Sequence, residues 1–294
     1  MTRHVLAIDF GGTKIALATA AVGSPDGRPD TTVRLRTLGG AGALQAVHRT
    51  FDAARDLLAT PAAVGVSTFG VLRGGRVRLA PNVPGWDGMA LPELLHAEFG
   101  DAPVAIDNDV NAGAAAELRW GALRGIDVGL YVNLGTGLAA ALVAGGRVLT
   151  GAHGAAGEIG YLRDSDTDPS FADGHAPLEE AVSGSALARR GSELLGRPVT
   201  AAELFELGAE PGVTDLLDEV VDTLSRTIAN LCVTLDPERV VIGGGMMGAA
   251  GHIMPRVASA LRRAVPFPPG LSAARFVDDA PLVGAVALAL EAAR

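Results

Sequence analysis

Three clusters in the sequence place acids, amides and hydroxyls beside glycines at spacings suited to phosphate and hydroxyl chemistry. The first is Asp107-Asn108-Asp109-Val110-Asn111, directly after the apolar run PVAI. A carboxylate at the mouth of an α/β layer can accept a proton from an attacking hydroxyl, and neighbouring amides can hold other hydroxyls. Helix capping by Asp or Asn is the structural alternative at such a junction, yet a cap needs one of these residues and the cluster exceeds that requirement.

The second cluster is a pair of turns, Asp9-Phe10-Gly11-Gly12-Thr13-Lys14 and Asn133-Leu134-Gly135-Thr136-Gly137, each closing an apolar strand. Glycine lets backbone N–H groups approach phosphate oxygens and take up positive φ. Either turn alone reads as an ordinary hairpin. Two of them facing one ligand would suit a nucleoside triphosphate: Asp9 could hold Mg²⁺ through water, Thr13 and Lys14 could donate to phosphate oxygens, and Thr136 could do so from the other side. Lys14 is the only lysine among 24 basic residues. A compact ammonium at that spot fits phosphate binding, and an arginine-biased composition fits the count equally.

The third cluster, Gly243-Gly244-Gly245-Met246-Met247-Gly248, satisfies GxGxxG after the strand-like RVVI. A dinucleotide site would need a ribose-binding acid downstream, and no Asp or Glu occurs between 249 and 277. The glycines instead offer backbone on which an adenine or ribose can lie flat. DFG at 9–11 spells a protein-kinase tripeptide without the Gly-rich lobe before it or an HRD-like loop after it. Glu158, Glu179 and Glu180 are solvated acids on the bland reading, and planar partners for paired sugar hydroxyls on the functional one.

These residues must be positioned by alternating strands and helices. Residues 4–20 read as a hairpin, 32–38 as a third strand, 41–59 as a helix, then a strand at AAVGVST, a helix near 89–99 and a strand at PVAID. The AAAEL stretch after Asn111 reads as a helix crossing between two halves. LYVNLGTGLAAAL at 130–142 then resembles LAIDFGGTKIAL at 6–17, with 148–150 as a further strand, so the half repeats. Helical patterns follow near 180–195, 213–235 and 252–264, with a buried strand at 239–245, and 163–177 has loop composition. The apolar C-terminal helix is expected to pack back on the first half. The resulting fold class is α/β, with domains at 1–111 plus 281–294 and at 112–280.

The 294 residues, 48% hydrophobic and 19% charged, describe a globular chain able to bury a core. A net charge of −9 argues against a nucleic-acid backbone as partner. No apolar stretch is long enough to span a bilayer, and the N-terminus runs straight into a strand without a leader, so a cytoplasmic protein is expected. Cys232 is the only cysteine and reads as core.

In order and spacing, AIDFGGTKIALA, GVSTFGV, APNVPGWDG, AIDNDVNAGAAAE, LGTGLAAAL, GAHGAAGEIGYL, LEEAVSG and VVIGGGMM resemble the ROK family of sugar kinases and regulators, over nearly the whole chain. The resemblance implies two actin-like ATPase (ribonuclease H-like) domains with a ligand cleft between them. It implies ATP and Mg²⁺ as cofactors, a small-molecule sugar as partner, and phosphorylation of a hexose hydroxyl, glucose at the 6-hydroxyl first. Asp109 looks like the general base, and Asn82, Asn108, Glu158 and Glu179 look like sugar-binding positions. Gly11, Gly12, Thr13, Lys14, Gly135, Thr136 and Gly137 would handle phosphate, with Gly244 and Gly245 near the adenosine. A homodimer is suggested by resemblance alone.

The chain departs from the family in the zinc motif. Tyr161 stands where zinc-binding members carry a histidine that also touches the sugar, and DGHAPLE replaces their cysteine segment, so no zinc site is expected. His153 and His175 read as loop residues. Phe69 occupies a place where proline is usual. Two alternatives stay open: a kinase for another hexose or an N-acetylhexosamine, and a non-catalytic sugar-binding regulator. The latter would act through a partner, since the residues before Asp9 leave no room for the helix-turn-helix of DNA-binding members. A nicotinamide-dependent oxidoreductase ranks third.

Overall fold

The computed structural model describes residues 2–37, 42–81, 83–208 and 210–294. They divide into two compact units, one of Met1–Arg124, Thr150–Ala156 and Asp279–Arg294, the other of Gly125–Leu149 and Gly157–Asp278.

The first unit runs β1 (His4–Phe10), β2 (Lys14–Ala21), β3 (Thr31–Arg36), α1 (Ala43–Leu57), β4 (Val64–Thr68), a hairpin of β5 (Val71–Arg73) and β6 (Arg76–Arg78), α2 (Leu91–Phe99), β7 (Val104–Asn108) and α3 (Asp109–Trp120), and ends with a C-terminal helix, Ala280–Ala292. Its sheet has the order β3-β2-β1-β4-β7. β1 pairs antiparallel with β2 and parallel with β4, which pairs parallel with β7. Val5, Leu6, Ala7, Ile8, Val64 and Val66 have no exposed surface. Covering both faces of parallel strands is what turns their sequence into unbroken apolar runs.

One cover is the C-terminal helix, which packs on β1, β4 and α3, as its apolar faces led us to expect. The approach is close because two glycines permit it: a Cβ on Gly65 would lie 1.9 Å from the Ala285 carbonyl oxygen, and one on Gly284 would lie 2.0 Å from that of Ala112. Gly65→Ala is therefore expected to cost about 1–3 kcal/mol by overpacking, seen as a lower urea midpoint at unchanged slope. An unshifted midpoint would mean that the helix can simply back away. α3 belongs whole to this unit, since it packs along that same helix, and the chain leaves for the second unit at Gly125 rather than at 112.

The second unit runs β8 (Gly129–Leu134), β9 (Leu138–Ala144), β10 (Arg147–Leu149), α4 (Pro177–Val182), α5 (Gly184–Leu195), α6 (Ala201–Glu206), α7 (Val213–Leu235), β11 (Arg239–Gly243), α8 (Ala250–Ala264) and β12 (Gly270–Ala273). Its sheet order, β10-β9-β8-β11-β12, repeats the order and strand directions of the first. Asp9 pairs across to Ala16 and Asn133 to Ala139, each one residue before the end of its strand, so the repeat read from a dozen residues extends to the whole sheet. Leu216, Val220, Leu224 and Ile228 of α7 pack with Ile253, Val257 and Leu261 of α8 in this unit's core. Short elements escaped the sequence reading: β5 and β6 have three residues each, and α4 ends at Val182, inside the single helical pattern read near 180–195. β12 is a four-residue strand with no fully buried position, and α6 has six residues, too few to show a period. Among the described residues no helix is long and apolar enough to cross a membrane.

Candidate active site

In the first unit, β1 carries Asp9 to the rim of the sheet, where its carboxylate accepts a hydrogen bond from Ser67 Oγ at 2.9 Å, from the neighbouring β4. The turn that follows is tied by Gly11 N–H donating to the Lys14 carbonyl (3.1 Å) and by Thr37, which donates its N–H to the Thr13 carbonyl (3.1 Å) and its hydroxyl to that of Gly11 (2.6 Å). Gly12, Thr13 and Lys14 are left exposed at its tip. Burial pushes the Asp9 carboxyl from its ordinary 3.8 up to about 7; the Ser67 hydrogen bond and the Lys14 charge oppose the rise, while the Asp109 and Asp279 charges add to it.

This carboxyl has a consequence for pH. Its folded value lies above its unfolded one, so the folded chain keeps a proton that the unfolded chain has released between about pH 4 and 7. Stability therefore falls as pH rises through that window and stays lowered above it. Asp9→Asn, which cannot ionise, should melt above wild type at about pH 8, with the gap closing as pH falls towards about 4. A gap independent of pH would remove the shift. A hard divalent cation would offset the same cost of an ionised Asp9, so the donor present fits Mg²⁺ held through water. Among the described residues no three His, Cys, Asp or Glu side chains converge on a metal position.

At the start of α3 the cap and the candidate base are different residues. Asn108 Oδ1 accepts the Asn111 N–H at 2.7 Å and so caps the helix. Asp107 Oδ1 accepts the Asn108 N–H (2.8 Å) and the Asn111 side-chain amide (2.8 Å); burial raises its pKa against those two bonds. Asp109 is then the first helical residue, its Oδ1 accepting the Val110 N–H at 3.0 Å, where the positive end of the helix favours an anion. The cluster expected before the helix thus straddles its start, Asp107 and Asn108 ending β7 and Asp109, Val110 and Asn111 entering the first turn. Asn82 lies outside the described residues.

In the second unit, the Gly135-Thr136-Gly137 turn is held by the start of α5. Gly184 N–H donates to the Gly135 carbonyl (2.9 Å), and Ser185 donates its N–H (3.2 Å) and hydroxyl (2.7 Å) to that of Thr136. Two acceptors are thereby turned away from any anionic ligand. Gly244 follows β11 at φ +93°, with room for no Cβ: one would lie 2.4 Å from the Leu134 carbonyl oxygen. Gly245 and Gly248 are different, since an added Cβ meets nothing within 4 Å. Both line a cavity of about 690 Å³ that is also walled by the Gly135–Thr136 turn, Gly184 and Ser185 of α5, and residues of α6. A volume of this order accommodates a nucleoside with its phosphates on the glycine turn.

Glu179 and Glu180, adjacent in sequence, are separated by the structure. Glu179 Oε2 accepts the Leu138 N–H at 2.8 Å and lies 2.7 Å from where a Gly137 Cβ would sit, so it reaches the glycine turn. Glu180 instead binds the Ala176 N–H (3.0 Å), which holds it below its ordinary range, and pairs with the His175 ring (3.0 Å). Burial, then the charges of Glu158 and Glu179, raise the Tyr161 phenol, which therefore stays protonated as a donor; its ring meets Phe171 edge-on at 5.3 Å. Those three expected sugar positions are thus close enough to act on one another. Sequence reasoning missed Ser67 and the pocket wall of Gly184, Ser185, Phe205, Glu206 and His252. Ser-Gly-Ser at 183–185 and the capping box Thr200-x-x-Glu203 were the available traces of it.

A model of the ROK family matches residues 5–292. The kanosamine kinase of Amycolatopsis mediterranei is 31% identical over 88% of this chain and 86% of its own. The N-acetylmannosamine kinase of Escherichia coli O7:K1 is 31% identical over 97% of this chain and 98% of its own. Among solved structures, a ROK family glucokinase from Streptomyces griseus in complex with glucose and AMPPNP superposes with a TM-score of 0.80 at 26% identity, covering 98% of this chain and 99% of that one.

Proposed function

Since the chain belongs to the ROK family, we propose that it is an ATP-dependent sugar kinase transferring the γ-phosphoryl group to a hexose hydroxyl. The observation that carries this reading is the start of α3, where Asn108 provides the cap and Asp109, the first helical residue, presents a carboxylate at the end of β7. Asp109 accepts the proton of the attacking hydroxyl as the oxygen bonds to phosphorus and ADP leaves. The Val110 N–H on Oδ1 fixes the carboxylate plane for this step. Tyr161, Glu158 and Glu179 bind the sugar hydroxyls, and Asn108 contributes its amide N–H groups, its oxygen being spent on the cap.

The second unit's cavity takes the nucleotide, its base against α6 and its phosphates along Gly135, Thr136 and Gly137, with Gly11 to Lys14 serving the transferred group. Bound at Asp9 through water, Mg²⁺ would supply neutralisation of the phosphoryl oxygens. The named relatives act on different sugars at similar identity, so glucose at the 6-hydroxyl is the first acceptor to test rather than a conclusion. The test is ADP release from MgATP across hexoses, aminohexoses and N-acetylhexosamines. Sugar-dependent release supports the reading and names the acceptor; silence from folded protein that binds ATP would overturn it in favour of a non-catalytic sensor.

A further inference from the structure

We propose that Glu206, at the end of α6, reads the 6-amino group of the purine and makes the enzyme selective for adenine over 6-oxopurine nucleotides. The inference rests on the cavity of the second unit being the nucleotide site. Five side chains lining that cavity carry hydrogen-bonding groups: Thr136, Ser185, Thr200, Glu206 and His252.

Three of these are accounted for. Ser185 is spent on the Thr136 carbonyl at 2.7 Å. Thr200 is spent on its capping box, donating to Glu203 Oε2 (2.8 Å) and accepting the Glu203 N–H (3.2 Å). Thr136 belongs to the glycine turn, where the phosphates lie. Glu206 and His252 remain, at the end walled by α6 and the start of α8, and the His252 ring is paired with Phe205 at 5.7 Å and 41°. The exposed His252 ring, backed by the buried Phe205, offers a face to a base, and apart from Thr136, Ser185 and Thr200 the rest of the wall is apolar side chain and glycine backbone.

An ionised carboxylate only accepts hydrogen bonds. It can take an N–H of an exocyclic amino group, and it repels the carbonyl oxygen that inosine and guanine present at the same position. A charged hydrogen bond lost, with one acceptor left facing another, is worth roughly 10–100-fold in affinity once the base covers the exposed Glu206 side chain.

The test compares ADP with IDP, which differ at the purine 6-position and in the N1 proton that accompanies the 6-oxo group, by calorimetry on wild type, Glu206→Gln and Glu206→Ala, with ATP and ITP kinetics alongside. Wild type should favour the adenine nucleotide by about 10–100-fold. Glu206→Gln, whose amide can donate as well as accept, should bring the ratio to within about threefold, largely through tighter IDP binding. Glu206→Ala should lose about tenfold for ADP while IDP, freed of the repulsion, binds no worse than to wild type, both variants keeping the sugar KM and the melting temperature of wild type. Equal binding of ADP and IDP by wild type, or a ratio unmoved by either substitution, would overturn the role of Glu206 alone. Failure of wild type to bind either nucleotide would overturn the nucleotide site itself, and this inference with it.

Discussion

Asp109→Asn should lower kcat by about 10²–10⁴-fold, the usual worth of a positioned general base, while the sugar dissociation constant stays within about threefold. The amide keeps the shape of the carboxylate and can still accept the Val110 N–H from its oxygen, which isolates the lost proton acceptor from any loss of form. Stability should change by no more than about 1 kcal/mol, the loss of an anion at the positive end of the helix being set against a relieved repulsion. The Asp109 charge helps to raise the Asp9 carboxyl, so removing it relieves one repulsion in the folded state. Steady-state kinetics with the sugar identified by ADP release, calorimetry with that sugar, and a thermal melt together decide the matter. Turnover near that of wild type would take Asp109 out of the base role. A matching loss of sugar affinity would make it a binding residue instead.

Gly245→Leu is expected to weaken AMPPNP binding at least about 100-fold. Filling an apolar pocket denies the adenosine a contact surface worth several kcal/mol. The position suits the experiment because an added Cβ meets nothing within 4 Å and the backbone is not in the left-handed region. The new side chain enters the cavity and the fold should tolerate it to within about 0.5 kcal/mol. Its neighbour is the contrasting case: Gly244→Ala adds a strained φ of +93° and a clash with the Leu134 carbonyl, so it should destabilise the second unit before it says anything about ligands. Unimpaired AMPPNP binding by Gly245→Leu, with sugar binding and melting temperature also unchanged, would show that the nucleotide lies elsewhere.

The departures in the zinc motif illustrate where reading the chain alone stops. Tyr161 was visible as a replacement, but its neighbourhood was not. The structure brings its ring against Phe171, ten residues away in a stretch that reads only as loop, and sets its phenol beside Glu158 and Glu179. In the same region, nothing in Leu178-Glu179-Glu180 distinguishes the two acids. The distinction depends on which side of a six-residue helix faces the glycine turn.

What the sequence determined by itself is whatever is local and periodic. The β1–β2 and β8–β9 hairpins follow from apolar strands flanking glycine turns, α7 from its long amphipathic period, and the candidate base from a run of acids and amides at a strand end. The repeat of one sheet in the other was legible for the same reason, since a shared turn sits at the same register in each. What only the tertiary structure decided is non-local. A carboxyl at Asp9 is ordinary until burial against Ser67 and the nearness of Asp109, 58 and 100 residues further on, push it to about 7. The pocket wall of Gly184, Phe205, Glu206 and His252 is assembled from three helices with no common motif. Hydrogen bonds and desolvation act over a few ångströms of space, and chain separation carries no record of which residues will come that close.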